Sequence, residues 1–337
     1  MANAIGIDLG GTYIKSGIVG SDGNIVYESI RPTGSLANAV APRNREASGP
    51  AVLDNVNMAI AELIGVAASR RIRIEGIGIG APGIVVDGIV TACGGNVPEL
   101  EGLALGREME EIFRFPVLLE NDANLMGLAE TRFGAAKGMT DVVFLTVGTG
   151  IGGTLVLNGK LYGGFHNRGT ELGHIRVASP GKPCTCGGSG CLEAHASLNA
   201  LGEDYLHFMG NGAGSIPADA LAGSNSTIDG RFIISRFLDQ DEAAVRAMNE
   251  HFDWLASGIA TLINIFSPQK VIIGGGIADA GEIYIRPIRE RALRLAMKET
   301  SVNTRVEGAQ LGNKAGFLGA AAIVFDSLPD YEYASLP

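Results

Sequence analysis

The chain has 337 residues, with 26 Lys and Arg against 36 Asp and Glu, a formal net charge of −10 and 46% hydrophobic residues. This length exceeds the size at which one hydrophobic core usually stops growing, so we expect two domains. The acidic balance argues against a general nucleic-acid surface, because phosphate binding depends on clustered Lys and Arg. No apolar run approaches the roughly 20 residues that span a bilayer, and the first residues do not have the pattern of a signal peptide. We therefore expect a cytoplasmic protein with no nucleic-acid or membrane partner.

Two segments, 5–19 and 142–157, share one local design: an apolar strand, a glycine-rich turn and a second apolar strand. Each continues through another turn, at 21–24 and 158–160, into a further short apolar run. This pattern predicts an antiparallel meander that opens each of two domains. We interpret the pair as an internal duplication that is clearer in structure than in letters.

Between and after these segments, helical and strand-like patterns alternate, which predicts an α/β fold in two halves. The predicted helices cover 50–70, 106–113, 243–265, 283–297 and 315–325, and the predicted strands cover 74–79, 117–119 and 271–273. Residues 209–229 are rich in Gly, Ala, Ser and Asn and indicate a loop or insertion. Small residues at the start of the last helix favour close backbone packing against the first domain. We therefore expect a smaller lobe of 1–122 with 315–337, and a larger lobe of 123–314.

Three glycine clusters are candidates for phosphate contact, because glycine lets backbone N–H groups approach an anion. Asp8 precedes the first cluster and offers a carboxylate for Mg²⁺. Each cluster by itself is also typical of a plain turn. The residues we assign to the ATP and Mg²⁺ site are Asp8, Gly10, Gly11, Thr12, Lys15, Gly148, Thr149, Gly150, Gly274, Gly275 and Gly276.

Two known phosphate-binding patterns do not account for these glycines. No Gly-Lys-Ser or Gly-Lys-Thr occurs, which excludes the Walker loop. The spacing Gly-x-Gly-x-x-Gly occurs at 78–83 and 148–153, but each copy is followed by a strand pattern where a dinucleotide fold requires a helix. We interpret both copies as coincidences of a glycine-rich chain.

Asp122 follows the predicted strand 117–119, and α/β folds place their ligands at such carboxyl ends. A carboxylate there could accept a proton from a substrate hydroxyl that attacks a phosphate. The alternative is that Asn121 or Asp122 caps the helix that continues through Leu125 and Leu128. The two roles are compatible.

Cys184, Cys186 and Cys191 follow His174 within 17 residues and form a candidate Cys3His site. This ligand set suits a tetrahedral structural zinc with no open position for water. The alternatives are buried thiols or a disulfide between two of them, although Cys184 and Cys186 are too close to bridge comfortably. We expect Cys93 to be a buried unpaired thiol.

Glu171 and Glu193 flank this site and could accept hydrogen bonds from the hydroxyls of a polyol. If one ring nitrogen of His174 binds the metal, the other keeps its proton and can donate to the same ligand. The alternative for the two carboxylates is a solvated position on the loop.

Taken together, the motifs at 8–12, 120–124, 148–153, 171–174 and 184–193 resemble those of the ROK family of sugar kinases and sugar-responsive repressors. The resemblance covers essentially the whole chain. It implies a two-lobed, actin-like (ribonuclease H-like) hexokinase fold with a structural zinc loop, and ATP and a hexose in the interlobe cleft. It also implies Asp122 as the general base, zinc on the Cys3His set, and a homodimer or a dimer of dimers. The implied sugar contacts are Asn96, Asn121, Asp122, Glu171, His174 and Glu193.

Two departures refine this expectation. A Trp usually expected just after Asn96 is missing, and residues 99–102 have Glu-Leu-Glu-Gly there. Repressor members carry an N-terminal helix-turn-helix, whereas Asp8 follows the first residue almost at once, so we expect no DNA-reading domain.

We therefore predict a kinase that transfers the γ-phosphate of ATP, with Mg²⁺, to the 6-hydroxyl of a hexose, with glucose as the leading substrate. The alternatives are an N-acetylglucosamine or N-acetylmannosamine kinase and, in a different class, a non-catalytic sugar-responsive regulator.

Overall fold

The computed structural model describes residues 1–34, 49–92, 97–210 and 228–329. In chain order the strands are β1 Asn3–Leu9, β2 Tyr13–Gly20, β3 Ile25–Pro32, β4 Ile77–Ala81, β5 Ile84–Val86, β6 Ile89–Ala92, β7 Val117–Asn121, β8 Val142–Val147, β9 Ile151–Leu157, β10 Lys160–Tyr162, β11 Lys270–Gly274 and β12 Arg305–Gly308. The helices are α1 Gly49–Ser69, α2 Leu105–Phe113, α3 Asp122–Arg132, α4 Leu192–Ala196, α5 Leu198–Phe208, α6 Gly230–Leu238, α7 Glu242–Phe266, α8 Glu282–Leu295, α9 Lys298–Ser301 and α10 Ala315–Asp326.

The strands form two five-stranded sheets of matching topology, β3-β2-β1-β4-β7 and β10-β9-β8-β11-β12, and a separate β5-β6 hairpin. In each large sheet an antiparallel meander is followed by two parallel strands. The predicted duplication is therefore present in the fold. The limits of the two lobes stay a prediction.

Each sheet has its own apolar core. On the first sheet, Val52, Val56 and Ile60 of α1 pack with the inward residues of β1, β2 and β4. On the second, α7 supplies a long buried face, including Phe252, Leu255 and Ile259, to β8 and β11. Among the described residues one helix, Ala51–Ser69 within α1, has the length and hydropathy of a membrane span. In this structure its apolar face contributes to the first core.

The last helix, α10, lies across β1, β4 and α3. A Cβ added at Gly6 would overlap the carbonyl oxygen of Phe317, and one at Gly78 would overlap that of Ala320. Gly319 approaches the backbone of Leu125 in the same way. Glycine is therefore required on one side of each of these contacts, because any side chain there would separate the backbones.

Most sequence-based boundaries agree with the structure to within two residues. The exceptions include the strand predicted at 74–79, which begins three residues later as β4, and helices α5 and α6, which the patterns did not indicate. Most of the predicted 209–229 insertion, like Cys93, lies outside the described residues.

Both coincidental Gly-x-Gly-x-x-Gly copies are followed by strands, as expected. The third glycine cluster, Gly274–Gly276, leads into the short 3₁₀ helix Gly276–Ala280 before α8 begins.

Candidate active site

Three adjoining cavities form one continuous cleft between the two large sheets. Asp8, Lys15 and Gly274–Gly276 line the first, which shares Met126 and Thr146 with the second. The second contains the loop residues Gly148, Thr149 and Gly150. The third has a volume of about 310 Å³, in the usual range for small-molecule sites. Residues shared by the second and third cavities are Asp122, Ala123, Gly152, Glu171, His174 and Glu193.

Asp122 lies where the second and third cavities meet. It is the first residue of α3, and its Oδ1 accepts a hydrogen bond from the N–H of Ala123 at 2.8 Å. The pKa of Asp122 is raised to about 7, chiefly by burial and also by the negative charges of Asp8 and Glu171. A carboxyl with this pKa can exchange a proton near neutral pH, as a general base must.

Asn121 is the residue that caps α3. Its Oδ1 accepts from the N–H of Asn124 at 3.0 Å, and its Nδ2 donates to the carbonyl of Gly83 at 2.8 Å. The capping alternative therefore applies to Asn121, and the adjacent carboxylate of Asp122 is left at the mouth of the cavity. A sugar contact by Asn121 stays a prediction, and it would have to share an amide that already has two protein partners.

Glu193 links the second glycine loop, residues 148–153, to residues 184–191, which carry the three cysteines and are called the cysteine hairpin below. Its Oε2 accepts from the N–H of Ile151 at 2.9 Å, and its Oε1 accepts from the hydroxyl of Thr185 at 3.5 Å. A Cβ at Gly150 would collide with the Glu193 carboxylate. Glu193 is therefore a structural bridge as well as a wall of the third cavity, so the solvated-loop alternative does not describe it.

Glu171 precedes the short 3₁₀ helix Leu172–His174, and His174 is its last residue; the helix packs directly on β9. A Cβ at Gly173 would overlap the carbonyl oxygen of Ile151, and one at Gly153 would contact Leu172 at 2.5 Å. These glycines permit close packing of the segment that carries Glu171 and His174. Part of the glycine pattern in 148–153 thus has a packing origin.

The four candidate metal ligands come together: the ligand atoms of His174, Cys184, Cys186 and Cys191 all lie within 4.8 Å of one another. Cys184 Sγ lies 3.5 Å from His174 Nδ1, and Cys186 Sγ lies 3.7 Å from Cys191 Sγ. Zinc bonds of the usual length in tetrahedral geometry would place two sulfurs about 3.8 Å apart, and a sulfur and a nitrogen about 3.6 Å apart. The four side chains therefore fit one zinc ion, and the three cysteines are free thiols, not a disulfide.

At the other end of the cleft Asp8 is almost fully buried, and its Oδ2 lies 4.0 Å from Lys15 Nζ. Burial raises the pKa of Asp8, and the positive charge of Lys15 partly opposes this shift. Gly316, in the first turn of α10, leaves room for this carboxylate, since a Cβ there would overlap it.

The glycine turns need one correction. We expected their N–H groups to face phosphate, but Gly10 N–H donates to the carbonyl of Tyr13 at 3.1 Å and Gly148 N–H donates to that of Gly150 at 2.9 Å. These two N–H groups close the turns because a tight hairpin needs an internal partner. A role for Gly10, Gly11, Thr12 and Gly148 towards ATP therefore stays a prediction, and for Gly10 and Gly148 it would involve other atoms.

Sequence reasoning missed a polar network at the wall of the third cavity, formed by Glu120, Asn124, Asn167 and Thr170. It also missed Glu130, a fully buried carboxylate that accepts from the N–H groups of Ala135, Gln310 and Leu311. For the network around Glu120, the run of Glu and Asn at 120–124 was the sequence signal that could have indicated it. Asn96 lies outside the described residues.

The sequence pattern of the ROK family matches residues 4–327. A glucokinase from Thermotoga maritima is 37% identical over 326 residues, covering 95% of this chain and 96% of that protein. An N-acetyl-D-glucosamine kinase from Pectobacterium atrosepticum is 30% identical over 332 residues, covering 94% and 97% of the two chains.

A solved structure extends the likeness to three dimensions. The crystal structure of a ROK family glucokinase from Streptomyces griseus, in complex with glucose and AMPPNP, has a TM-score of 0.74 and 34% sequence identity. The match covers 96% of this chain and 99% of that one. The two-lobed α/β architecture expected from the sequence is therefore confirmed.

Proposed function

The chain belongs to the ROK family, and from that membership and the geometry of the cleft we propose that it is an ATP-dependent kinase that phosphorylates the 6-hydroxyl of glucose. The observation that carries the proposal is the position of Asp122. Its carboxyl, with a pKa raised to about 7, lies between a cavity lined by Glu171, His174 and Glu193 and the loop 148–150. This is where a base must lie if a sugar hydroxyl is to attack a terminal phosphate.

In the proposed reaction Asp122 accepts the proton of the sugar 6-hydroxyl while the oxygen of that hydroxyl bonds to the γ-phosphorus of ATP. The bond between that phosphorus and the β,γ-bridging oxygen breaks, and ADP leaves. Asp122 then returns the proton to solvent or product. Positioning and charge compensation supply most of the rate enhancement in such transfers, because little covalent chemistry involves the protein.

Asp8 and Lys15 provide the charges at the nucleotide end. The buried oxygen donors of Asp8 suit Mg²⁺, which prefers carboxylates and phosphate oxygens, and a bound Mg²⁺ would offset charge on the phosphates. Lys15, opposite Asp8 across the β1-β2 pair, can place a positive charge near the same phosphates. Gly274–Gly276 line this cavity and leave space for the nucleotide.

Glu171, His174 and Glu193 are proposed to hold the sugar. The two carboxylates accept hydrogen bonds from sugar hydroxyls, which donate readily. His174 Nδ1 faces Cys184 Sγ, so Nε2 is the ring nitrogen available to the ligand. Zinc on His174 and the three cysteines would stabilise the hairpin and fix the protonated nitrogen of the imidazole.

Three further properties belong to this proposal and follow from the family. We expect a homodimer or a dimer of dimers, which light scattering after size exclusion tests. We expect a cytoplasmic location, where ATP and free hexose are both present. We also expect the lobes to divide at residue 122 and near residue 315, where α3 and α10 begin.

An N-acetylhexosamine kinase is the second candidate, favoured by the similarity to the Pectobacterium enzyme. These sugars carry an acetamide where glucose has a 2-hydroxyl, and a pocket formed to accept a hydroxyl discriminates against the bulkier group.

The test is a panel of glucose, mannose, N-acetylglucosamine and N-acetylmannosamine at fixed MgATP, with ADP release measured and the product located by NMR. We expect the highest kcat/KM for glucose and a 6-phosphate product. A higher value for an N-acetyl sugar would favour the second candidate. No sugar-stimulated ADP release across the panel would contradict both and favour a regulator.

A further inference from the structure

A polar network centred on Glu120, the penultimate residue of β7, lies at the wall of the proposed sugar cavity. Glu120 Oε1 accepts from the N–H of Asn121 at 2.8 Å and from Asn124 Nδ2 at 3.0 Å. Asn167 Nδ2 lies 3.1 Å from Oε1 and 3.0 Å from Oε2. Hydrogen bonds to a charged acceptor are stronger than neutral ones, so this carboxylate is well placed to hold three segments together.

Asn167 joins segments that are distant in sequence. It belongs to the loop between β10 and the 3₁₀ helix Leu172–His174, and its Nδ2 also donates to the carbonyl of Val85 in β5 at 3.2 Å. One amide therefore connects this loop to both β7 and β5. Val85, Asn167 and Glu171 all line the third cavity, so the connection lies at the cavity wall.

The loop has an unusual backbone that this network can stabilise. Asn167 has a φ of +55° and Thr170 a φ of +67°. Asn tolerates the left-handed region, whereas a β-branched residue such as Thr rarely adopts it. Strained residues persist where their surroundings determine their conformation, and they cluster at functional sites.

Thr170 is held by the same network. Its hydroxyl donates to the carbonyl of Gly169 at 2.6 Å and contacts Asn124 Oδ1 at 3.3 Å, while Asn124 Nδ2 bonds Glu120. The next residue in the chain is Glu171, a proposed sugar ligand. The conformation of the 167–170 segment thus determines the backbone position of Glu171, from which its side chain extends.

We propose that Glu120 and Asn167 form a positioning clamp that fixes the 167–171 segment, including its two left-handed residues Asn167 and Thr170, and so presents Glu171 to the sugar. The proposal rests on the proposed sugar kinase function. Loss of the clamp weakens sugar binding and leaves binding of ATP and the action of Asp122 much less affected.

Asn167→Gly is the first test, because glycine adopts φ +55° freely and the variant removes only the amide. We expect the KM for sugar to rise about ten- to a hundredfold, the usual range for a lost hydrogen bond to a charged group. The KM for ATP and kcat should change far less. Phe165→Ala is the matched control, since Phe165 is 86% exposed in the same loop and the change should leave both KM values as in wild type.

A charge-exchange pair provides the second test. Asn167→Asp places a carboxylate against Glu120 and should weaken sugar binding more than Asn167→Gly. Adding Glu120→Gln restores a donor opposite an acceptor and should recover part of the lost sugar affinity, measured by calorimetry without ATP. Recovery is expected of a clamp and not of a residue that only contributes to folding.

Two results would overturn the clamp: a wild-type sugar KM in Asn167→Gly, or equal losses for sugar and ATP with no recovery in the double variant. Both are judged against wild-type enzyme that phosphorylates a sugar. If the wild type phosphorylates none, the proposed function fails instead, and the two failures are distinguishable.

Discussion

The two glycine-rich hairpins share a topology but obtain their chemistry in different ways. In the first, Asp8 of β1 pairs with Lys15 on β2 and with Gly80 on β4. In the second, Thr146 of β8 occupies the corresponding position, pairing with Gly152 on β9 and Gly274 on β11. The first hairpin therefore carries its own buried carboxylate, whereas the second carries none at that position.

The second hairpin instead receives a carboxylate from elsewhere. Glu193, placed by the cysteine hairpin and α4, bonds to the N–H of Ile151. The glycines at 150 and 153 make room for Glu193 and Leu172. The comparison teaches that two copies of one backbone motif can have different roles in one cleft. The first hairpin supplies charged side chains, and the second provides a surface against which Glu193 and Leu172 pack. Asp122 lies between the two.

The largest expected effect comes from removing the base at the junction of the hairpins. Asp122→Asn should lower kcat by about 10²- to 10⁴-fold, because general-base catalysis typically contributes that much. Sugar binding, measured by calorimetry, should stay close to wild type, since the amide keeps the shape of the carboxyl. Near-normal turnover in this variant would contradict the assignment.

The pH dependence of the same residue gives a control. Because the pKa of Asp122 is about 7 and the base form is required, wild-type kcat/KM should fall about tenfold per pH unit below 7. Because the pKa of Asp122 is higher in the folded protein than in the unfolded chain, the free energy of unfolding falls as pH rises from 3.8 to about 7. Asp122→Asn should therefore have a higher Tm than wild type at pH 8, with the difference vanishing near pH 4. A lower Tm at pH 8 would argue against a buried carboxylate.

The next effect should come from the hairpin that delivers Glu193. Cys186→Ser should lower zinc content, lower Tm and weaken sugar binding by about ten- to a hundredfold, with less effect on ATP, because the metal organises Glu193 and His174 at the sugar end. Metal analysis and calorimetry measure these changes. Ser189→Ala, at an exposed position in the same hairpin, is the control and should retain zinc. Unchanged sugar affinity in zinc-free protein would contradict this role of the metal in placing Glu193 and His174.

The smallest effect should distinguish packing glycines from turn glycines within the second hairpin. Gly150→Ala drives a methyl group into the Glu193 carboxylate and should destabilise the fold by about 1–3 kcal/mol and raise the sugar KM several-fold. In Gly148→Ala the nearest atom to the new Cβ is 3.9 Å away, so Tm should not change. Denaturant unfolding of both variants measures the difference. Equal destabilisation would mean that the turn, not the bridge to Glu193, sets the requirement for glycine.

The sequence by itself determined the elements whose patterns are local. The meanders, α7 and α10 follow from apolar periodicity and turn residues, and the Cys3His ligands follow from their short spacing. Asp122 was a candidate because it follows a predicted strand, but the sequence left helix capping by Asn121 or Asp122 open as the alternative. These features depend on residues that are close together in the sequence, so the sequence is enough to predict them.

Only the tertiary structure decided which of two adjacent residues caps α3 and which glycines are needed for close packing. It also decided how the 167–171 segment is held at the third cavity. Asn121 became the cap and Asp122 the acid that lines the cavity because the carbonyl of Gly83, 38 residues away, accepts the Asn121 amide. The bond between Asn167 and Glu120 spans 47 residues and depends on a left-handed backbone. Such contacts form only when segments distant in sequence pack together, and their energies depend on burial that no local pattern specifies.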